Sequence, residues 1–377
     1  MVLAAVLALE ALAVIRAVGR MLATAGGTAL EPAGPAPAGT IDAVVPVYNE
    51  ETRLGPALRD LSRSGPSLGR IVVVDGGSTD GTAAVVAAAC AHDARIEFLT
   101  AGPPPAGWNG KAWNLDRGLA ATCAPWVATI DADVRAGAGV LDAAIARAER
   151  DGLVALSVAT RQDLAGAGSA LLHPALLTTL VYRGGLPNVA SADPRKVAAN
   201  GQLFVARRAA LAASDAFRTA RASRCEDVTV ARILAAAGGK VGFYEGDAVV
   251  RMYESWRACA ANWPRSLTLF DRFTGAARTW ISLAELALAQ ALPLPTFLLL
   301  LALGGASRFG ALAAGVAFAL VAVRFGVLAG TRRAYVRPAP AYWLSPLADS
   351  LAVALLAASM LRRRHTWRGR TLVEETV

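Results

Sequence analysis

Two aspartates, Asp131 and Asp133, follow the apolar run Trp126-Val127-Ala128-Thr129-Ile130. Carboxylates so close at the end of a strand repel each other unless a cation joins them, and no basic residue follows before Arg135. Hard oxygen ligands of this kind, completed by substrate phosphates, suit Mg²⁺ or Mn²⁺. Further along, Cys225-Glu226-Asp227 opens the apolar stretch Val228-Thr229-Val230-Ala231. Acids at a helix N-terminus are favourable for the helix dipole alone. The chemical alternative is that one of the pair is a general base aimed at the carboxylate pair from the other side.

Two more polar turns belong with these. Asp75-Gly76-Gly77-Ser78-Thr79-Asp80-Gly81-Thr82 follows a β-branched run, so its first carboxylate stands at a strand tip, where α/β sheets bind nucleotides. Glycine turns with capping Ser, Thr and Asp also occur for purely structural reasons. Pro46-Val47-Tyr48-Asn49-Glu50 ends the preceding strand and places a second polar loop on the same sheet edge. Lys111 lies in Gly107-Trp108-Asn109-Gly110-Lys111-Ala112-Trp113-Asn114, one of only three lysines beside 35 arginines. A lysine kept in such a loop before a helix suggests a compact charge near a phosphate, the alternative being a solvent-exposed side chain.

The elements that must carry these residues are legible as alternation. From Ile41, short β-branched runs (DAVVPV, RIVVVD, RIEFLT, WVATI) alternate with Ala-rich helical stretches, the pattern of a parallel α/β sheet. The chain as a whole is apolar: 55% of residues are hydrophobic, 18% are charged, and mean hydropathy is +0.42. Disorder is excluded and a wholly soluble protein disfavoured. Residues 1–25 read as a membrane anchor, although the apolar run MVLAAVLALEALAVI is short for a span and Arg16 would have to snorkel. An amphipathic or buried helix is the alternative. Residues 26–40, rich in Pro, Gly and Ala, read as a linker, 41–255 as the catalytic body and 256–280 as an interfacial segment. Residues 281–361 contain three apolar spans with seven charged residues among them, and 362–377 form a basic tail.

Net charge is +9, and most of the excess lies in the flanks, with 12 basic and 6 acidic residues against 26 and 23 in residues 41–280. A positive-inside bias accounts for it, with the catalytic body cytoplasmic. The basic residues of the central body are not interleaved with aromatics, which argues against a nucleic-acid partner. Four scattered cysteines and three distant histidines form neither a zinc site nor a disulfide framework.

In order and spacing, P-V-Y-N-E, V-D-G-G-S-T-D-G-T, G-K-A-W-N, D-A-D, N-G-Q-L-F-V-A-R-R and E-D resemble the motifs of family 2 glycosyltransferases with the GT-A fold, over about residues 41 to 265. G-W-N-G-K, R-M-Y-E-S-W, the trailing apolar spans and the final W-R-G-R are similar to the membrane-anchored hopanoid-associated, carotenoid and ceramide-type members. The resemblance implies a UDP- or GDP-sugar donor, Mg²⁺ or Mn²⁺, a membrane lipid acceptor, and inversion at the anomeric carbon. It implies that Asp75 contacts the nucleoside base, with Pro46, Tyr48 and Glu50 walling its pocket. Lys111 would lie near the diphosphate, Asp133 and Asp131 would hold the metal, and Asp227 would be the base with Glu226 beside it on the acceptor side. Gly76 stands where the family often has a second acid. The processive enzymes' Q-x-x-R-W is absent, which argues for a single transfer. A polyprenyl-phosphate sugar synthase using the same catalytic body is the alternative function.

Trp256 and Trp263 flank Arg257 on a segment suited to an interfacial helix that guides a lipid, and Asn200-Gly201 could line the passage or form a buried turn. The segment 341–361 carries Pro346 and Asp349. Three full crossings would put the arginine-rich tail outside, so this segment is expected to be re-entrant or interfacial.

Overall fold

Ile41, Ala43, Val44, Val45 and Val47 are all buried, so the first strand of the catalytic body is covered on both faces, the condition of a parallel sheet flanked by helices. The computed structural model describes residues 2–253, 255–267, 273–303, 308–362, 364–367 and 370–373. The chain divides into a sheet unit (27–161, 187–251 and 364–377) and a helical unit (1–26, 162–186 and 252–363).

The elements in chain order begin with α1 (Val2–Thr24), β1 (Ile41–Val47), α2 (Leu54–Ser62), β2 (Leu68–Asp75), α3 (Thr82–Cys90), β3 (Ile96–Thr100), α4 (Gly110–Ala121) and β4 (Trp126–Ile130). Next come β5 (Val134–Ala136), α5 (Val140–Arg150), β6 (Ala155–Asp163), α6 (Ala167–Gly184), β7 (Val189–Ser191) and β8 (Leu203–Arg207). Two short helices follow, α7 (Arg208–Ala213) and α8 (Ala216–Thr219), then α9 (Glu226–Ala236) and β9 (Val241–Arg251). The remainder is α10 (Trp256–Ser266), α11 (Ala276–Leu286), α12 (Pro293–Ala302), α13 (Arg308–Thr331), α14 (Asp349–Leu361) and the hairpin strands β10 (Arg364–Trp367) and β11 (Arg370–Val373).

In the sheet unit the strand order among the described residues is β3-β2-β1-β4-β8-β6-β9-β5, with β7 also on β9. The first four strands are parallel, as the β/α alternation predicts. Beyond β4 the sheet becomes mixed, because β8 returns antiparallel on β4 and β6 antiparallel on β8. Val47 lies opposite Asp75 across β1 and β2, so the two polar turns leave the sheet side by side. Helix α4 packs tightly over them: a methyl group at Gly118 would come within 2.3 Å of Val44 Cγ1. Within residues 26–40, expected as a linker, Leu30 N–H donates to Glu245 O (2.8 Å) and Ala36 N–H to Asp142 Oδ1 (2.9 Å) of this unit.

Helix α6 packs in the helical unit. Leu172, Ala175, Leu176, Val181 and Tyr182 of α6 are buried in one cluster with Val14, Ala17, Leu286, Leu320 and Leu356. A helix apolar on every face needs apolar neighbours on every side, and those are the other helices of this unit. Among the described residues three helices, Val2–Thr24, Arg308–Ala334 and Pro340–Leu361, are long and apolar enough to cross a membrane, and α11 and α12 with the π turn between them would make a fourth, bent by 43°. Leu12, Ile15, Leu299, Leu301, Phe309, Leu312, Phe318 and Leu347 are exposed, as a lipid-facing surface requires. The N-terminal helix runs well past the fifteen apolar residues, and Arg16 and Arg20 meet Glu285 of α11 at 2.9 and 3.1 Å. The segment 340–361 changes at the expected place, a 3₁₀ stretch (Pro340–Ala348) giving way to α14 at Asp349. Asp349 is paired there: Arg324 Nε and Nη2 donate to it at 2.8 and 3.0 Å, and Gln290 Nε2 at 2.8 Å. Of the basic tail, Arg363 and Arg368 lie outside the described residues, as does Glu254 of R-M-Y-E-S-W.

Candidate functional site

Strand β1 ends in Tyr48-Asn49-Glu50 and β2 in the glycine turn after Asp75, and the two loops are stitched together. Asn49 takes a left-handed φ of 55°, which asparagine tolerates, and this lets its N–H donate to Ser78 Oγ (2.9 Å) while its Oδ1 accepts from Thr79 N–H (2.9 Å). Glu50 N–H donates to Thr82 Oγ1 at 2.8 Å. The Asp75 carboxylate accepts from Ser78 N–H (3.0 Å) and Ser78 Oγ (2.6 Å), so it is buried and fixed in its own turn. Pro46 lies opposite Val74 within the strand pair, and Tyr48 is half-buried at its end. Asn114 of α4 clamps both strand ends from behind, its Nδ2 donating to Val47 O and Val74 O at 3.1 Å each.

On the other side of β1, β4 delivers Asp131 and Asp133. Asp131 N–H donates to Gln202 O (2.9 Å) and Asp131 O accepts from Val134 N–H (3.0 Å), so the acids sit on a tight turn. Asn109 caps α4 by accepting from Lys111 N–H (2.9 Å), which aims the lysine inward. Its ammonium meets Asp131 Oδ1 (2.6 Å), Glu226 Oε1 (3.1 Å) and Gly201 O (3.1 Å). Asp227 stands on the opposite side of Gly201, Oδ2 accepting from Gly201 N–H (2.6 Å) and Oδ1 from Val228 N–H (2.8 Å). Nothing larger than glycine fits between them: a methyl group at Gly201 would lie 2.7 Å from Asp227 Cβ and 3.0 Å from Lys111 Nζ. Lys111, Leu115, Thr129, Gly201, Phe204, Glu226 and Asp227 line a small cavity here.

The charges in this site are unevenly matched. Burial pushes Asp131 up to about 7 against the pull of Lys111, and Asp133 also rises above its ordinary range despite Arg53. Burial raises Glu50 to about 8, Arg53 opposing the shift and Asp133 reinforcing it. Asp227 is raised to about 6 by burial and then by Glu226, with Lys111 pulling the other way. Burial alone would lower Lys111, but Asp131, Glu226 and Asp227 outweigh it and hold the ammonium charged. Five carboxylates thus share two cations, Lys111 and Arg53.

Asp75, Pro46, Tyr48, Glu50, Lys111, Asp131, Asp133, Gly201, Glu226 and Asp227 therefore all lie in the sheet unit, at loops and helix starts next to strand ends. Asn200 lies beside them, half-buried: its amide donates to Gln202 Oε1 (2.7 Å) and its N–H to Ser157 Oγ (2.7 Å). Trp256 and Trp263 belong to the helical unit. Trp256 is exposed, whereas Trp263 stacks on the buried His173 ring with centroids 3.7 Å apart. The sequence reading missed Arg53, whose Nη1 donates to Asp133 Oδ2 (3.0 Å) and whose Nη2 lies 2.9 Å from Glu50 Oε2. It also missed the clamp made by Asn114; a polar residue on the buried face of α4 was its only signal.

Among the described residues no three His, Cys, Asp or Glu side chains converge as a cation cage. The donors on offer are the Asp131 and Asp133 carboxylates, hard oxygens that suit Mg²⁺ or Mn²⁺ when phosphate oxygens and water complete the shell. The excess of negative charge around them fits such an ion.

The model of glycosyl transferase family 2 matches residues 42–185. The lipopolysaccharide core biosynthesis glycosyltransferase LpsC of Rhizobium meliloti (strain 1021) is 35% identical over 134 residues, which is 34% of this chain and 44% of the relative. The chain thus spans less than half the length of that relative. Among solved structures, the mannosyltransferase PcManGT from Pyrobaculum calidifontis, in complex with GDP-Man and Mn²⁺, is 21% identical with a TM-score of 0.57, covering 96% of this chain and 99% of that one. At that identity the likeness speaks for the fold, which is GT-A-like. Asn200, Gly201, Glu226 and Asp227 lie beyond the matched stretch.

Proposed function

Because residues 42–185 are a family 2 glycosyl transferase domain, we propose that this chain transfers one sugar from a nucleoside-diphosphate sugar to the hydroxyl of a membrane lipid, with inversion at the anomeric carbon. The observation that carries the reading is the Lys111-centred cluster of Asp131, Glu226 and Gly201, with Asp227 against the same glycine.

The two halves of the chemistry ask for different groups. An acceptor hydroxyl, whose pKa lies far above 7, needs a base that takes its proton as the bond to the anomeric carbon forms. Asp227 is suited: two backbone N–H donors fix its orientation, and a pKa near 6 leaves it ionised at neutral pH yet basic enough to accept a proton. On the donor side, Tyr48, Glu50 and Asp75 wall the nucleoside, and Lys111 offers a fixed positive charge toward the diphosphate. A Mg²⁺ or Mn²⁺ ion held by Asp133 and Asp131 supplies charge neutralisation for the leaving diphosphate. No general acid is required, since the leaving group departs as a stabilised anion.

Membrane residence with the sheet unit cytoplasmic is supported by the apolar outer surface of the helical unit and by the basic flanks. A lipid-linked acceptor is supported by the same surface and by the Rhizobium relative, named for lipopolysaccharide core biosynthesis. The hopanoid-associated or carotenoid type is the finer form of this reading. The test is to incubate the full-length chain in detergent with UDP- and GDP-sugars, Mn²⁺ or Mg²⁺ and a total lipid extract, then separate the products by mass. A glycoside stable to mild acid is expected. A product cleaved by mild acid would point to a polyprenyl phosphate, and equal transfer to water-soluble alcohols would defeat the lipid assignment.

A further inference from the structure

Arg53 stands where the helix it precedes does not want it. It occupies the N-cap position of α2, where the helix dipole favours anions, and its side chain makes no capping hydrogen bond. Its fork reaches instead into the site, one nitrogen to Asp133 (3.0 Å) and one to Glu50 (2.9 Å). The side chain is 38% exposed, against 17% for Lys111, and each Arg53 nitrogen meets a single carboxylate. Lys111 is clamped by three oxygens and cannot leave without stranding Asp131 and Glu226. Of the two cations, then, Arg53 is the one that can be exchanged. It also sits on the carboxylate assigned to the metal, so a divalent ion and the guanidinium compete for the same oxygen.

We propose, on the premise that the site binds a nucleoside diphosphate with a divalent cation, that Arg53 is an exchangeable partner of the site's carboxyl groups. It bridges Asp133 and Glu50 and transfers to the diphosphate when donor and cation arrive. A cation binding alone must strip Arg53 from Asp133 and leave it with Glu50 only. A diphosphate offers the guanidinium two-pronged anionic partners in exchange, a geometry that suits Arg better than Lys. Cation and donor are therefore coupled through Arg53, and by linkage each tightens the other.

Mn²⁺ binding to the full-length chain in detergent, followed by the loss of the free-ion spin-resonance signal, tests this without turnover. UDP and GDP are each titrated at zero and saturating Mn²⁺, with correction for Mn²⁺ complexed by free nucleotide. The wild-type chain is expected to bind Mn²⁺ weakly alone and to bind one nucleotide more tightly with Mn²⁺ present. Arg53→Gln is expected to bind Mn²⁺ alone about tenfold more tightly and to lose about tenfold of the coupling, within the usual range for such linkages. Arg53→Lys, which keeps the charge but not the fork, falls between the two. An Arg53→Gln chain with unchanged Mn²⁺ affinity and unchanged coupling overturns the role of Arg53 while leaving the donor site intact. A wild-type chain that binds neither nucleotide, with or without Mn²⁺, overturns the donor-site reading itself.

Discussion

Removing the charge of Asp227 is the most direct test of the site. Asn is nearly isosteric and its Oδ1 can still accept from Gly201 N–H, so Asp227→Asn keeps the side-chain volume against the glycine while deleting the base and the bond from Val228 N–H. The expected loss in kcat is two or more orders of magnitude, the ordinary scale for a general base, with donor affinity nearly unchanged. The pH profile gives an independent reading. With a pKa raised to about 6 by burial and Glu226, about nine-tenths of the residue is ionised at pH 7 and about one-tenth at pH 5. A base must be deprotonated to act, so kcat/KM, which reports the free enzyme, falls as pH drops through about 6 and approaches a tenfold loss per pH unit below it. The residual activity of Asp227→Asn should lack this limb, which separates Asp227 from Asp131. An acid limb centred near 4, or an Asp227→Asn enzyme turning over within a few-fold of wild type, would refute the assignment. Loss confined to Glu226→Gln would transfer the role to its neighbour.

The other predictions use the same geometry. Asp133→Ala is expected to abolish transfer, and chelation to remove an activity that Mg²⁺ or Mn²⁺ restores; full turnover in metal-free buffer would contradict it. Gly201→Ala should cut kcat by about tenfold or more and lower the thermal midpoint, because the added methyl presses on Asp227 and Lys111; wild-type turnover would show that the gap between them has slack. Glu50 has a raised pKa, so the stability it contributes is present below its unfolded value near 4.5 and is lost as pH rises through about 8. Glu50→Gln should therefore raise the apparent Tm more at pH 9 than at pH 5, and an equal shift at both would contradict this. Arg324→Leu leaves Asp349 buried and unpaired and should destabilise the chain by about 3 kcal/mol or more, whereas adding Asp349→Leu should recover most of it; detergent thermal denaturation of both variants decides.

How much of this was legible follows from the range of each interaction. The strand-tip positions of Asp75, Tyr48 to Glu50 and the Asp131–Asp133 pair could be read because β/α alternation fixes which strand ends share an edge. Arg53 could not: its partner Asp133 is 80 residues away, and local sequence presents it only as an arginine before a helix. The antiparallel half of the sheet was hidden for the same reason, since β8 finds β4 across the whole of α5, β6 and α6. That α6 packs among the other helices was not legible, because a largely apolar stretch looks alike whether it packs on a sheet or among helices. For Asp349 the expectation rested on the cost of an isolated carboxylate in an apolar segment. Arg324 changes that sum, since a paired acid between packed helices no longer forbids the segment from crossing.

The near-absence of lysine sharpens what Lys111 does. A composition that favours arginine so strongly would supply arginine wherever a positive charge alone sufficed. The three oxygens around Lys111 come from three different elements, the turn after β4, the start of α9 and the carbonyl of Gly201. An ammonium with three rotating donors can meet all of them from one point, whereas a planar guanidinium at the same depth would satisfy two and press on the third. At Glu50 and Asp133 the need is the reverse. Two carboxylates on separate loops are spanned by the two ends of a fork from the rim. The two cations of the site therefore differ in kind: a buried point charge that fixes Asp131, Glu226 and the glycine turn in one arrangement, and an arginine at the mouth able to change partners.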